Sequence, residues 1–550
     1  MEHTGTYDYD WLIIGSGFGG SVSALRLSEK GYKVGVLECG RRFADHEFAK
    51  STGDMRRYTW RPRLGMKGIF RLTLFRDVAV VSGCGVGGGS LGYANTLYVP
   101  PKAFFEDKQW AQMQDWQATL APHYAEAQRM LGVVQNPHDD PADQLLRELG
   151  EELGVGDTYK KTPVGIFFGE PGKTVPDPFF DGEGPDRTGC QLCGRCMVGC
   201  PHGAKNTLVK NYLYLAERSG AQVTPERTVI DIRPLGSGDG SDGYEVESVR
   251  SGAWVRKERR VDRARSVVVA AGPLGTNTLL QRCRLGGSLP LLSNRLGELV
   301  RTNSEAILTV TVPEDYPDDL IKRVAITSSI YPDPHTHIET VTYGDDGNSM
   351  RTLYTLLVGD GTRLTRPLKL FGQILRHPGR LAQVLFAKHW SRRTIILLVM
   401  QTLDNAMALR PRRGPFGSLW LRTEQDPERP NPTFIPVANK AAEWFAKRTG
   451  GIAQSSVMEA MFNVPTTAHI LGGAVIADDP SHGVVDSRQR VFGYQNLLVC
   501  DGSAIPANVG VNPSLTITAL AEHAMSYIPP AAGMPSETQS VEASETPAAA

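Results

Sequence analysis

Four of the eight cysteines fall in one short run, Cys190-x-x-Cys193-x-x-Cys196-x-x-x-Cys200-Pro201. Thiolates at this spacing can wrap one corner of a [4Fe–4S] cluster, as in bacterial ferredoxins, where the fourth cysteine of a run serves a second cluster. Only one such run is present, so a fourth ligand would be Cys200 itself, or a distant Cys84, Cys283 or Cys500. Zinc is a second reading, although it prefers cysteine pairs separated by a loop. A cysteine-rich turn without metal is the third. A different chemistry is suggested by Gly15-Ser16-Gly17-Phe18-Gly19-Gly20. Bare backbone at this spacing admits the pyrophosphate of a dinucleotide.

The elements needed to position that pyrophosphate are legible around it. Trp11-Leu12-Ile13-Ile14 reads as a strand, Ser21–Lys30 as a helix, and Val34-Gly35-Val36-Leu37-Glu38 as a second strand ending in an acid. Gly15 makes the tight turn, Gly17 lets the backbone approach the phosphates, and Gly20 lets helix and strand pack closely. The phosphates then meet the free N–H groups of a helix N-terminus. Glu38 stands 21 residues after Gly17, the distance expected of a carboxylate that accepts the ribose hydroxyls.

A second glycine cluster runs Gly83-Cys84-Gly85-Val86-Gly87-Gly88-Gly89-Ser90-Leu91. Towards the other end stand Ala468-His469-Ile470-Leu471-Gly472-Gly473, Val499-Cys500-Asp501-Gly502-Ser503 and Gly510-Val511-Asn512-Pro513. Taken in this order, the motifs resemble the glucose–methanol–choline oxidoreductase family, most closely its bacterial cholesterol oxidase branch. The resemblance covers roughly 1–310 and 460–528. It implies an α/β fold: a discontinuous Rossmann-type FAD-binding domain built from those two segments, with an α+β substrate-binding domain at 311–459 inserted between them. It further implies that Gly87, Gly88, Gly89 and Ser90 line the flavin and its pyrophosphate, and that Asp501 and Gly502 contact the ribityl and pyrophosphate region. His469 and Asn512 would face the flavin ring, joined by a glutamate of the substrate domain, for which Glu339 is the candidate. Two departures stand out. Ile470 replaces the family's proline, and Gly92-Tyr93-Ala94-Asn95 replaces its Val-Asn-Gly-Gly.

These residue types suit the oxidation of an alcohol. An imidazole can orient the hydroxyl or take its proton, and a carboxylate is the alternative base. An amide can donate to the developing alkoxide. The resemblance points to a sterol, or another bulky lipophilic alcohol, as substrate, with oxygen or a different electron acceptor. The cysteine run keeps a second class open, a flavin and iron–sulfur electron-transfer protein that docks a protein or quinone acceptor. A flavoenzyme that desaturates a steroid is the third, and it leaves the His469 and Asn512 motifs unexplained. Without the motif context His202, His335, His337 and His523 are unremarkable.

The chain of 550 residues carries 59 basic and 59 acidic side chains. That balance argues against a dedicated nucleic-acid binder. No charged segment leads into an apolar leader at the N-terminus, so the expected location is cytoplasmic, with peripheral membrane contact. The reason for the latter is the segment 363–393, which interleaves Arg366, Lys369, Arg376, Arg380, Lys388 and Arg392 with Leu364, Leu368, Phe371, Leu375, Leu381, Leu385 and Trp390 at near-helical spacing. Such a helix could rest on an anionic bilayer or simply pack on the core. Arg61–Arg76 has a similar mixture. The Pro, Ala, Ser and Glu-rich end, 529–550, is expected to be disordered.

Overall fold

The computed structural model describes residues 7–414 and 419–534. The chain opens with β1 (Tyr9–Ile14), α1 (Phe18–Glu29) and β2 (Val34–Leu37), and β3 (Ala79–Gly83) leads into the second glycine cluster. After the cysteine run come β4 (Gln222–Thr224), β5 (Arg227–Pro234), β6 (Tyr244–Arg250), β7 (Arg260–Val269) and α2 (Gly272–Gly286). The middle of the chain supplies β8 (Ala306–Thr311), β9 (Ile326–Asp333), β10 (Thr336–Val341), β11 (Tyr354–Leu356), α3 (Thr365–Arg376), α4 (Pro378–Leu385), β12 (Thr394–Gln401) and β13 (Ile452–Ser456). The last elements are β14 (Leu497–Val499) and α5 (Ser514–Ser526).

The first sheet has the order β4-β2-β1-β7-β6-β5, with β14 pairing alongside β7. β1 runs parallel to both β2 and β7, and β14 lies parallel to the end of β7 through Val267–Val269. An unbroken apolar run such as Trp11–Ile14 is what a central strand of a parallel sheet requires, because helices cover both of its faces. α1 packs between this sheet and α5, so the two ends of the chain share one core.

The second sheet is antiparallel, in the order β11-β13-β8-β12-β10-β9, with Lys160–Lys161 at its edge. Strand alternation divides its side chains between two faces. Ile338, Leu397 and Val399 enter a core with Leu145, Leu149 and Phe445. The opposite face presents His337, Glu339 and Val341 of β10.

Several local expectations need correction. Within the basic and apolar mixture of Arg61–Arg76, Phe70–Leu74 is a strand paired antiparallel with β3, and Ile69 is buried. Segment 363–393 is two helices, broken at His377-Pro378. Only Arg366 and Leu370 of α3 are buried, whereas Leu364, Leu368, Phe371 and Leu375 are exposed. Of the tail expected to be disordered, residues 529–534 lie against the end of α1, where Tyr32 donates to the Pro529 carbonyl and the Ala531 amide donates to the Lys30 carbonyl. The rest, 535–550, falls outside the described residues. Among the described residues no helix is long and apolar enough to cross a membrane.

The N-terminus of α1 is built from backbone contacts. A Cβ on Gly15 would meet the Ala270 carbonyl oxygen at 2.2 Å, one on Gly19 the Cys500 carbonyl oxygen at 1.7 Å, and one on Gly20 the Gly15 carbonyl oxygen at 2.1 Å. Gly17 differs, since a Cβ there would have nothing within 4 Å. Gly19→Ala should therefore lower stability by ~1–3 kcal/mol in urea unfolding, the scale of overpacking against rigid neighbours. Gly17→Ala should leave the urea midpoint nearly unchanged while weakening retention of a bound nucleotide.

Candidate active site

The dinucleotide cradle forms where the two glycine clusters touch. Gly88 approaches so closely that a Cβ on it would lie 2.6 Å from Gly17 Cα. No side chain caps the first turn of α1, so its amides are available to an anion. The bare surface at Gly17 and the uncapped helix fit a pyrophosphate. The carboxylate of Glu38 ends β2 and is held by the Ser16 amide (3.0 Å), the Ser16 hydroxyl (2.8 Å) and the Gly40 amide (2.8 Å). Gly87, Gly88 and Gly89 take up a tight turn of 3-10 type, with Gly87 and Gly88 at positive φ. Ser90 is turned inward: its hydroxyl donates to the Gly87 carbonyl (2.6 Å) and accepts from the Leu208 amide (3.0 Å). Asp501 is also committed to the chain. It accepts from the Gly272 amide (2.9 Å), the Ser503 amide (2.8 Å), the Thr276 hydroxyl (2.5 Å) and the Ser503 hydroxyl. Asp501 thereby fixes the turn containing Gly502 against α2.

His469 sits beyond the short strand Thr466–Thr467 and is partly buried. Its Nδ1 forms a very short hydrogen bond with Glu305, whose other oxygen accepts from the Ala468 amide at 2.8 Å. With Nδ1–H donating to the carboxylate, Nε2 is the free position of the ring. Sequence reading missed Glu305. Its one visible signal is an acid placed immediately before the apolar strand β8. The lead-in, Arg301 to Ser304, is unusual: Asn303 and Ser304 both have positive φ, a sparsely populated state for such residues that persists only where the surroundings impose it. Here Asn303 accepts from the Gly510 amide (2.7 Å) and donates to the Val511 carbonyl (2.9 Å), while its own amide donates to Asn508 (2.8 Å). This network ties Glu305 and the Asn512 loop into one unit.

Asn512 donates through Nδ2 to Glu339 Oε2 at 3.4 Å. The structure thus brings two of the three expected residues into contact and pairs the third, His469, with Glu305. Glu339 is fully buried, and its Oε1 and the Oδ1 of Asn512 have no partner in the protein. Burial pushes the Glu339 carboxyl up to about 8, with the charge of Glu305 adding and the Asn512 bond opposing. His337, set aside at first, lies two residues earlier on the same face of β10. It is stacked on Tyr331 (ring centroids 4.5 Å apart) and edge-on to Tyr98 (5.0 Å), with neither ring nitrogen bonded. Burial pushes it down to about 3, so it is neutral.

The four cysteines of the run line one small pocket together with Lys205, Arg323 and Val324. None forms a disulfide. The pocket belongs to both halves of the fold, because Cys193 bridges to Arg323 just ahead of β9. Lys205 is buried, and its Nζ donates to the carbonyls of Leu91 (3.0 Å), Tyr93 (2.8 Å) and Cys196 (2.8 Å). One side chain therefore fastens the cysteine run to the loop following the second glycine cluster. No three of the four sulfurs lie within 4.8 Å of one another.

The Glu339 environment has a measurable consequence. In the folded chain this carboxyl keeps its proton up to about pH 8, whereas in the unfolded chain it is lost near 4.5. Stability should therefore fall as pH rises through that window, by up to ~1.4 kcal/mol per pH unit. Glu339→Gln should remove this slope, so that the variant gains more over the parent at pH 7.5 than at pH 5 in thermal unfolding.

Family models described as GMC oxidoreductase match residues 184–296 and 395–521. The chain is 54% identical over 533 residues to a cholesterol oxidase of Mycobacterium tuberculosis (strain ATCC 25618 / H37Rv), covering 95% of this chain and 91% of that one. It is 49% identical to a cholesterol oxidase of Acinetobacter baumannii, covering 95% of each. Among solved structures, pyridoxine 4-oxidase from Mesorbium loti shares the fold, with a TM-score of 0.60 at 16% identity over 94% of this chain and 98% of that one. The chain belongs to the GMC oxidoreductase family, the FAD-dependent oxidoreductases, within its cholesterol oxidase branch.

Proposed function

We propose that this protein oxidises the hydroxyl group of a sterol or a similar bulky lipophilic alcohol, with His469, Glu339 and Asn512 as catalytic residues. The observation that carries the reading is the convergence of the Glu305–His469 pair and the Glu339–Asn512 pair from separate parts of the chain. FAD, held by Gly15, Gly17, Gly20, Glu38 and Gly87–Gly89, would supply the hydride acceptor. His469, oriented by Glu305, offers Nε2 to the substrate hydroxyl and draws off its proton. Asn512 has a second N–H to place on the developing alkoxide. Glu339, in its anionic form, is the other proton acceptor. The aromatic wall of Tyr98, Tyr331 and neutral His337 suits an apolar ring system. Substrate entry from a lipid surface is supported by the exposed Leu364, Leu368, Phe371 and Leu375 of the α3 segment, which stand among Arg363, Lys369 and Arg376.

Anaerobic reduction of the bound flavin by a panel of sterols and long-chain alcohols tests this reading. His469→Ala should retain flavin and lose reduction rate by ~10²–10⁴. The rate in the parent should rise with pH through about 8 as Glu339 ionises, and Glu339→Gln should flatten that rise. Leu368→Asp with Leu375→Asp should slow reduction by sterol in anionic vesicles and leave reduction by sterol in detergent micelles unchanged. Parent-like rates in His469→Ala, or no reduction by any sterol, would remove the assignment.

The cysteine run supports a second component, an iron–sulfur cluster on Cys190, Cys193, Cys196 and Cys200 that passes electrons to a protein or quinone acceptor. A single tetrahedral zinc needs its sulfurs ~3.8 Å apart, given Zn–S bonds of about 2.3 Å. No three sulfurs of the run are grouped that tightly. Anaerobically purified protein should contain iron and acid-labile sulfide, and Cys193→Ser should lose both together with thermal stability. Less than a tenth of an iron per chain would leave only a cysteine-rich turn.

A further inference from the structure

A second pair of cysteines, outside the run, lies beside the dinucleotide cradle. Cys39 follows Glu38 at the end of β2, and Cys84 follows β3 at the start of the second glycine cluster. Their sulfurs are 3.6 Å apart although 45 residues separate them. Arg71, on the strand paired with β3, places its guanidinium 3.7 Å from the sulfur of Cys39 and 3.9 Å from that of Cys84. The two backbones already touch, since a Cβ on Gly40 would lie 2.2 Å from the Gly85 nitrogen. Cys39 is partly exposed and Cys84 buried.

We propose that Cys39 and Cys84 are a peroxide-responsive dithiol that closes to a disulfide and locks the end of β2 to the second glycine cluster. The inference does not depend on the substrate proposed above. The oxidant is hydrogen peroxide, which forms wherever dioxygen accepts two electrons and two protons from a reduced flavoenzyme. Cys39, the accessible sulfur, attacks as thiolate beside the Arg71 guanidinium. The O–O bond breaks, one oxygen stays on Cys39 as sulfenic acid, and the other leaves as hydroxide and takes a proton to become water. The sulfur of Cys84 then attacks Cys39, the S–S bond forms, and the sulfenic oxygen leaves with the Cys84 proton as a second water. Two thiols lose two electrons in all, and one peroxide becomes two waters. Closure from 3.6 Å to a bond of ~2.05 Å is within the reach of side-chain rotation and a small loop shift.

Glu38, Cys39 and Cys84 also place donor atoms within 4.8 Å of one another, a set that a soft metal ion could use. The cationic Arg71 against both sulfurs opposes that alternative.

The test uses the purified, flavin-loaded full-length protein. It is treated with hydrogen peroxide, quenched with catalase, alkylated under denaturing conditions and mapped by mass spectrometry with and without reductant. A Cys39–Cys84 linked peptide, two hydrogens lighter than the separate peptides and reversed by dithiothreitol, is expected. The link should raise the thermal midpoint, because it restricts the unfolded chain. Arg71→Met should slow its formation on the order of 10-fold. Cys84→Ser should leave Cys39 as a sulfenic acid that dimedone labels. The proposal is overturned if both cysteines remain alkylated as free thiols while others oxidise, if Cys39 goes directly to sulfinic acid with Cys84 free, if oxidation lowers the thermal midpoint, or if the parent protein binds stoichiometric zinc that is lost in Cys39→Ser.

Discussion

The structure depends on backbone meeting backbone at the start of α1. Gly15 lies against Ala270, Gly19 against Cys500, Gly20 against Gly15 and Gly88 against Gly17. These contacts draw together four stretches of chain as far apart as residues 15 and 500. Each is closer than any side chain allows, so the positions are restricted to glycine by excluded volume rather than by preference. In the direction a Cβ of Gly17 would take there is open space, beside an uncapped helix terminus. The same packing that closes the core therefore exposes amides where a pyrophosphate can use them. Glu38 and Asp501, both buried, accept from neighbouring amides and hydroxyls. They hold the rims of the cradle in place.

Two buried carboxylates near the second sheet have opposite surroundings. Glu305 is compensated by His469 and by the Ala468 amide. Glu339 has only a long bond from Asn512, its other oxygen has no partner, and the charge of Glu305 acts on it. Desolvation thus disfavours the charge on Glu339. One glutamate orients an imidazole and the other is held as an acid near neutrality, a separation of environments that is typical of paired proton-transfer groups.

Cysteine chemistry is likewise divided by surroundings. The run at 190–200 opens into a pocket shared by both halves of the fold and is fastened by Lys205 to the loop after the second glycine cluster. Cys39 and Cys84 instead face each other under a guanidinium. Both sets flank the second glycine cluster: Cys84 lies within it, and Lys205 ties the run to the Leu91 carbonyl just after it.

The amino-acid sequence alone specified the βαβ unit and its phosphate-binding turn, because strand, glycine spacing, helix and terminal acid are local and each has a steric reason. It also specified that distant motifs around His469, Asp501 and Asn512 belong with that unit, through their resemblance to a family pattern. The same resemblance made Glu339 the candidate glutamate, and strand alternation carries that residue to the inner face of β10. It could not name Glu305 or His337, since what distinguishes them is their neighbours: a ring nitrogen brought from 164 residues away, and two tyrosines brought from other strands and loops. It could not assign an element to the basic and apolar mixture at Arg61–Arg76, where Phe70–Leu74 pairs with β3. Nor could it show that Cys39 and Cys84 meet. Local rules act through neighbours in the chain, whereas desolvation, pairing of buried charges and contact between sulfurs act through neighbours in space, and only the tertiary structure chooses those.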